Sequence, residues 1–242
     1  MRAVAVGIFC KTPAPGLSKT RLSPPLRPDE CSALSACFIR DLADTIHTLS
    51  RDGDVAPYAV YTPAGTEPAL RALLPPGFNL LLQCTGDFGV RLQRANADLL
   101  AAGHAGAVLV NADSPTLPVS ILRAAVDAVR DGDAVVLSPA IDGGYTLIGL
   151  AQPHARVFAD IPWSTPEVHR MTMERAAEIG VPVVNVPGWY DVDDTQTLRL
   201  LEAELAGAHP SFAQRGTHGA HAPATRRFLE LRLLQQQVGA SW

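Results

Sequence analysis

Apolar residues recur along this chain in short runs separated by stretches with helical spacing, and the two kinds of segment alternate almost to the C-terminus. Ala3 to Phe9 is a continuous apolar run ending at a Pro/Gly loop, the pattern of a buried strand. Behind the loop, Pro28-Asp29-Glu30 is a helix-start signal, and it predicts a helix from Asp29 to Ser50. Further strands are expected at Pro57 to Thr62, Asn79 to Gln83, Ala107 to Asn111, Ala134 to Ser138, Tyr145 to Leu150 and Pro182 to Val186. Helices are expected between them at Glu67 to Leu74, Phe88 to Gly103, Val119 to Arg130, Pro166 to Ile179 and Thr195 to Ala206. Strands alternating with helices imply an α/β fold with a mostly parallel central sheet and helices on both faces. Ligands bind such folds at the carboxyl ends of the strands.

The regular pattern stops near residue 206. Gly207 to Ala224 is rich in Ala, Gly, His and Pro and reads as a mobile linker before a last, peripheral helix near Thr225 to Gln237. The expected organisation is therefore one domain over 1–206 and a linker with a C-terminal helical extension over 207–242.

Composition narrows the function. With 242 residues, 47% of them hydrophobic, the chain can bury a full core without disulfide or metal staples. Cys10, Cys31, Cys37 and Cys84 show no Cys-x-x-Cys pair, so they read as free thiols in a reducing compartment. A net charge of −4 speaks against a nucleic-acid partner. The first apolar run is too short for a signal segment, and no run reaches the ~18 residues of a membrane span. The expectation is a soluble, cytoplasmic protein. Of the 20 basic residues only Lys11 and Lys19 are lysines, and both lie in the first loop. In a chain that otherwise uses Arg, a retained Lys suggests a site wanting a compact ammonium.

That loop, Lys11 to Arg21, carries Gly16, the cations Lys11, Lys19 and Arg21, and the hydroxyls Thr12, Ser18 and Thr20. Glycine permits close backbone approach, and the cations and N–H groups suit phosphate oxygens. It matches neither the Walker A nor the dinucleotide-binding pattern, and a solvated Pro/Gly turn is the plainer alternative. Asp113, at the end of a buried strand in Asn111-Ala112-Asp113-Ser114-Pro115, faces the expected ligand crevice, where a carboxylate suits Mg²⁺ or Mn²⁺. A turn or cap aspartate is the plainer alternative there. Asp191, Asp193 and Asp194 crowd three carboxylates ahead of a helix. Asp193, with Asp191 in reserve, could join Asp113 around one metal, while Asp194 is equally explained by an acidic first helical turn. Two further candidates are Gly86-Asp87 and Asp142-Gly143-Gly144-Tyr145, the latter also what a tight β-turn requires. Trp163 and Tyr145 could stack on a base or sugar, although aromatics more often fill cores. The seven histidines form no metal-like spacing.

Taken in order, Phe9-Cys10-Lys11-Thr12-Pro13, Pro15-Gly16, Lys19-Thr20-Arg21-Leu22, Gly86-Asp87, Ala112-Asp113-Ser114-Pro115, Asp142-Gly143-Gly144-Tyr145, Leu147-Ile148-Gly149-Leu150, Ile161-Pro162-Trp163-Ser164-Thr165 and Asp191-Val192-Asp193 resemble a bacterial family of GT-A-fold, glycosyltransferase-like proteins over residues 3 to 205. The set is also similar to phospholactate and molybdenum-cofactor guanylyltransferases. The chain departs from the family pattern at Asn111, where Gly is usual, and at Asp194-Thr195-Gln196-Thr197-Leu198, which lacks the usual later acids.

The resemblance implies a Rossmann-like GT-A, nucleotide-diphospho-sugar transferase fold, and a metal-dependent transferase that takes a nucleotide or nucleotide-sugar and a small-molecule acceptor. It implies nucleotide contacts from Lys11, Thr12, Pro13, Gly16, Lys19, Arg21, Gly86 and Asp87, with Lys19, Arg21 and Asp113 in catalysis. Metal ligation would come from Asp113, Asp193 and Asp191, and sugar or acceptor contacts from Asp142, Gly143, Gly144, Tyr145 and Trp163. Two reactions fit these residues: glycosyl transfer from a nucleotide-diphosphate sugar, and nucleotidyl transfer from an NTP to a phosphorylated or carboxylate acceptor with pyrophosphate release. A nucleotide-binding protein without turnover is a third reading.

Overall fold

Alternation of side chains along the first strand sets the layering. Val4, Val6, Ile8 and Cys10 enter one hydrophobic core, while Ala5 and Phe9 enter a second core on the opposite face. A strand buried on both faces must be covered twice, and the chain supplies the cover by alternating strands with helices. The structure, a computed structural model, describes residues 2–239. In chain order the elements are β1 (Val4–Lys11), α1 (Pro28–Ser50), β2 (Val55–Thr62), α2 (Glu67–Arg71), β3 (Asn79–Leu82), α3 (Phe88–Ala101), β4 (Gly106–Asn111), α4 (Val119–Asp131), β5 (Val135–Pro139), β6 (Tyr145–Leu150), α5 (Val168–Glu178), β7 (Val183–Asn185), α6 (Thr195–Leu205) and α7 (Pro223–Gly239). Single 3₁₀ turns at Thr20–Leu22 and Ala155–Phe158 were not expected from the hydrophobic pattern, which is too short there to show a period.

The strands form one sheet in the order β3-β2-β1-β4-β6-β5-β7. Only β6 runs against its neighbours, antiparallel to both β4 and β5; the remaining pairs are parallel. Strand order reverses beside β1, which pairs with β2 on one side and β4 on the other. The carboxyl ends of β1 and β4 therefore open the crevice where such sheets bind ligands. β1 extends to Lys11, two residues past the apolar run, because it stays paired with β2 as far as Thr62. That extension carries Lys11 to the rim of the crevice.

The first core joins α1, α4 and α6 to the sheet through fully buried side chains such as Leu34, Phe38, Ile46, Ile121 and Leu201. Each large apolar side chain so buried stabilises the fold by roughly 1.5–3 kcal/mol. The second core joins α3 and α5 through Leu92, Leu99, Phe158 and Ala176.

The segment after α6, expected to be a mobile linker, is folded against the body. Phe212 packs edge-on to Trp189 and Tyr190 at ring distances of 5.8 and 5.7 Å. The N–H of Ala220 donates to the carbonyl of Thr116 at 2.9 Å. The buried Asp41 of α1 then accepts from the N–H groups of Ala224 and Thr225, at 2.9 and 2.8 Å, and so caps the start of α7. Among the described residues no helix is long and apolar enough to cross a membrane.

Candidate functional site

Three stretches of chain meet at the carboxyl ends of β1 and β4. Asp113 follows β4, its N–H held by the side-chain oxygen of Asn111 at 3.3 Å. The segment Trp189 to Asp193 runs alongside. Trp189 donates to the carbonyl of Pro139, and Val192 donates to the carbonyl of Asp113 at 2.9 Å, which fixes Asp193 beside Asp113. The third stretch is the first loop, which returns through Lys19 in a left-handed backbone conformation (φ 49°), unusual for a residue with a side chain.

The Lys19 ammonium lies between the two aspartates. Its Nζ is 2.6 Å from Asp113 Oδ1, 2.9 Å from Asp193 Oδ1 and 2.7 Å from the carbonyl oxygen of Val192, above the buried ring of Phe38. Three acceptors use all three donors of an ammonium. Its side chain is only 6% exposed. Burial opposes its charge, but Asp113 and Asp193 outweigh burial and hold the Lys19 pKa above its ordinary value. Sequence reasoning placed this lysine on a phosphate; the structure shows its donors committed to the carboxylates.

Mg²⁺ and Mn²⁺ are held by hard oxygen donors, commonly one or two carboxylates completed by phosphate and water. Asp113 and Asp193 offer that donor set and converge on one cation, the Lys19 ammonium, which stands in for such an ion. The residues thus fit a divalent ion held by this pair. The expected third ligand does not join them: among the described residues no three carboxylate, imidazole or thiol groups converge as a metal cluster. Asp191 instead lies half-buried amid other acids. Burial first, then Asp142, Asp193 and Asp113, push its pKa up to about 7.

Two clefts flank this pair of aspartates and share Phe9, Ala112, Asp113, Ser164 and Asp193. One, about 320 Å³, is lined by Lys11, Leu17, Ser18, Lys19, Thr20 and Arg21. Arg21 is 71% exposed and 4.0 Å from Asp193, and Lys11 is exposed at the strand end, so both are free to meet an anion. The other cleft, about 290 Å³, has an aromatic wall of Phe9, Phe88, Trp163 and Tyr145 facing Asp142, Asp191, Asp113 and Asp193. Neighbouring rings along the wall meet edge to face, 5.6 Å from Phe9 to Phe88, 5.0 Å from Phe88 to Trp163 and 6.4 Å from Trp163 to Tyr145. The Tyr145 hydroxyl is buried, which pushes its pKa up.

Several expected ligand contacts have structural work instead. Thr12 is buried, with its hydroxyl 2.7 Å from that of Thr66, and with Pro13 and Gly16 (φ +71°) it shapes the loop rather than lining either cleft. Asp87 caps α3, accepting from Val90 N–H at 2.9 Å, and neither it nor Gly86 lines a cleft. Asp194 caps α6, accepting from Thr197 N–H at 2.8 Å. The Asp142 turn is both a tight turn and a cleft wall. Asp142 accepts from Gly144 N–H at 2.9 Å, and Gly143, with φ +91°, has a backbone where an added Cβ would lie 2.2 Å from the Pro166 carbonyl oxygen. Gly143 stays outside the lining, whereas Asp142, Gly144, Tyr145 and Trp163 belong to it. Sequence reasoning missed Phe9, Phe88, Asn111 and Ser164 as lining residues. Each lies within two positions of a residue it had singled out, namely Lys11, Asp87, Asp113 and Trp163, which was the available signal.

The fold has solved relatives. A protein from Desulfovibrio desulfuricans G20 described as a "putative nucleotide-diphospho-sugar transferase" aligns over 98% of both chains with 27% identity and a TM-score of 0.80. A CMP:2-keto-3-deoxy-manno-octonic acid synthetase complexed with CTP aligns over 84% of this chain and 98% of its own, at 12% identity and a TM-score of 0.53. A cytidylyltransferase from Leptospira borgpetersenii aligns over 98% and 97%, at 12% identity and a TM-score of 0.53. The last two show a shared fold alone. No curated protein sequence matches the chain. Residues 45–165, half of the chain, match the family model described as "Uncharacterized protein conserved in bacteria (DUF2064)"; the chain belongs to this family and has the fold of nucleotide-diphospho-sugar transferases.

Proposed function

We propose that this protein is a glycosyltransferase that uses a nucleotide-diphosphate sugar. The observation that carries the reading is the juxtaposition of a basic cleft and an acidic, aromatic cleft across one pair of aspartates. The diphosphate binds in the basic cleft, where Lys11, Arg21 and the hydroxyls of Ser18 and Thr20 neutralise and hydrogen-bond its oxygens. The glycosyl group reaches past Asp113 and Asp193 toward the aromatic wall. There the acceptor hydroxyl oxygen bonds to the anomeric carbon as the bond from that carbon to the diphosphate oxygen breaks. The nucleoside diphosphate leaves with the bonding pair, and the acceptor proton passes to Asp142 or Asp191, the carboxylates lining that side alone. Lys19 holds Asp113 and Asp193 in register. A divalent ion that took the place of the ammonium between Asp113 and Asp193 would supply charge neutralisation for the departing diphosphate.

Calorimetric titration with a panel of nucleoside diphosphates tests the binding half of this reading. At least one is expected to bind, and Lys11→Ala and Arg21→Ala are each expected to weaken it by about 10–150-fold, the worth of one charge-assisted hydrogen bond. A panel in which nothing binds, or binding indifferent to both variants, contradicts the reading.

A further inference from the structure

The acidic, aromatic pocket has a chemistry that selects among acceptors. Its charged lining residues among those described are four aspartates, Asp113, Asp142, Asp191 and Asp193, and no Lys, Arg or His lines it. The nearby cations leave part of this charge unpaired: Lys19 spends its three donors on Asp113, Asp193 and Val192, and Lys11 and Arg21 line the neighbouring cleft, so among the described residues Asp142 and Asp191 have no basic partner. A phosphate ester or carboxylic acid entering here would meet like charge with no paired cation, an arrangement that rejects a ligand.

The remaining lining says what is accepted. Asp142 is held rigidly, because its turn is pinned by the Gly144 N–H bond, by His169 N–H donating to the Gly143 carbonyl at 2.9 Å, and by the close packing of Gly143 on Pro166. A fixed carboxylate with free lone pairs accepts hydrogen bonds from hydroxyl groups. Donors are present as well: the side-chain NH₂ of Asn111 and the hydroxyl of Ser164 line the pocket without a protein partner among the described residues. A hydroxyl both donates and accepts, so one kind of ligand group serves the carboxylates and these donors alike. The wall of Phe88 and Trp163 presents ring surface to an apolar face of the occupant, with Phe88 left 40% exposed for it. At about 290 Å³ the pocket is at the small end of ligand sites.

We infer that the acceptor is a polyhydroxylated molecule of monosaccharide size that carries no anionic group, a sugar or sugar alcohol, and not a phosphate ester or a carboxylic acid. The inference rests on the transferase reading above and deepens it. It also turns the choice between the two reactions toward glycosyl transfer, since the alternative required a phosphorylated or carboxylate acceptor.

Matched pairs test it. Saturation-transfer NMR with the full chain and a saturating nucleoside diphosphate would compare glucose, mannose, galactose and myo-inositol with glucose 6-phosphate, mannose 6-phosphate and gluconate. At least one neutral compound is expected to bind, with its charged counterpart weaker by about tenfold or more, the scale of an unpaired like-charge contact. Asp142→Asn, which removes charge at constant shape, is expected to narrow the gap to a sugar phosphate by about threefold or more. A charged member that binds as well as its neutral partner, an unchanged gap in the variant, or no neutral binder overturns the inference. Nucleotide titration on the same sample separates the two claims. Lost nucleotide binding with the neutral preference intact counts against the transferase reading alone, and nucleotide binding without that preference counts against this inference alone.

Discussion

Lys19 illustrates how a residue's neighbours decide its role. Its rarity in an Arg-rich chain marked it as chemically special, and its surroundings make it the internal counter-ion of Asp113 and Asp193. Those carboxylates are 36% and 43% exposed, so solvent relieves part of their mutual repulsion. Lys19→Met, which keeps the length and removes the charge, is expected to destabilise the fold by about 1–3 kcal/mol, between the values for exposed and fully buried ion pairs. The same change vacates the point on which both carboxylates converge. Paramagnetic resonance of Mn²⁺ added alone is expected to show binding tighter by about tenfold or more in the variant, because an ammonium and a divalent ion compete for the same oxygens. Unchanged or weaker Mn²⁺ binding means that Lys19 and the metal do not share a place.

Among the elements, α7 shows how a distant side chain can fix a helix. Asp41, buried in α1, accepts both N–H groups that open α7 across a separation of up to 184 residues. Burial, only partly offset by these donors, raises its pKa. Asp41→Ala is expected to cost about 1–2 kcal/mol, the loss of a cap, and to speed amide exchange through α7 while leaving β4 protected. Equal exchange in α7 of both proteins would show that its packing on α1, not the cap, sets its stability. The order of strands and helices was legible in the sequence because each carries its own period, as in the apolar run of β1 and the spacing of α1. The docking of Phe212, Ala220 and α7 was not legible. It depends on single contacts to Trp189, Thr116 and Asp41, and an Ala/Gly/His/Pro composition carries no trace of them.

At the scale of the whole molecule, the reversal of strand order between β1 and β4 assembles the candidate site. It brings a loop from the first tenth of the chain against aspartates from positions 113 and 193, and β6, inserted antiparallel between β4 and β5, sets the Asp142 turn beside them. Most residues that line the two clefts with charge were singled out from the sequence, including Lys11, Arg21, Asp113, Asp142, Asp191 and Asp193. Their division into a basic side and an acidic side was not, because that division exists only once the strands are ordered. Gly86, Asp87 and Thr12 lie outside both clefts for a related reason: a polar residue beside a crevice, such as Asp87 or Thr12, can be spent on a helix cap or a loop bond.

The most direct test of the central claim is turnover. Purified protein would be incubated with a panel of nucleotide-diphosphate sugars and neutral sugar or polyol acceptors, and in parallel with NTPs and phosphorylated or carboxylate acceptors, with and without Mn²⁺, and assayed for released nucleoside diphosphate, pyrophosphate and a glycosylated product. Release of a nucleoside diphosphate matched by product, and abolished by Asp113→Asn, is the expected result. Pyrophosphate released from an NTP, or no nucleoside diphosphate from any donor, would contradict it.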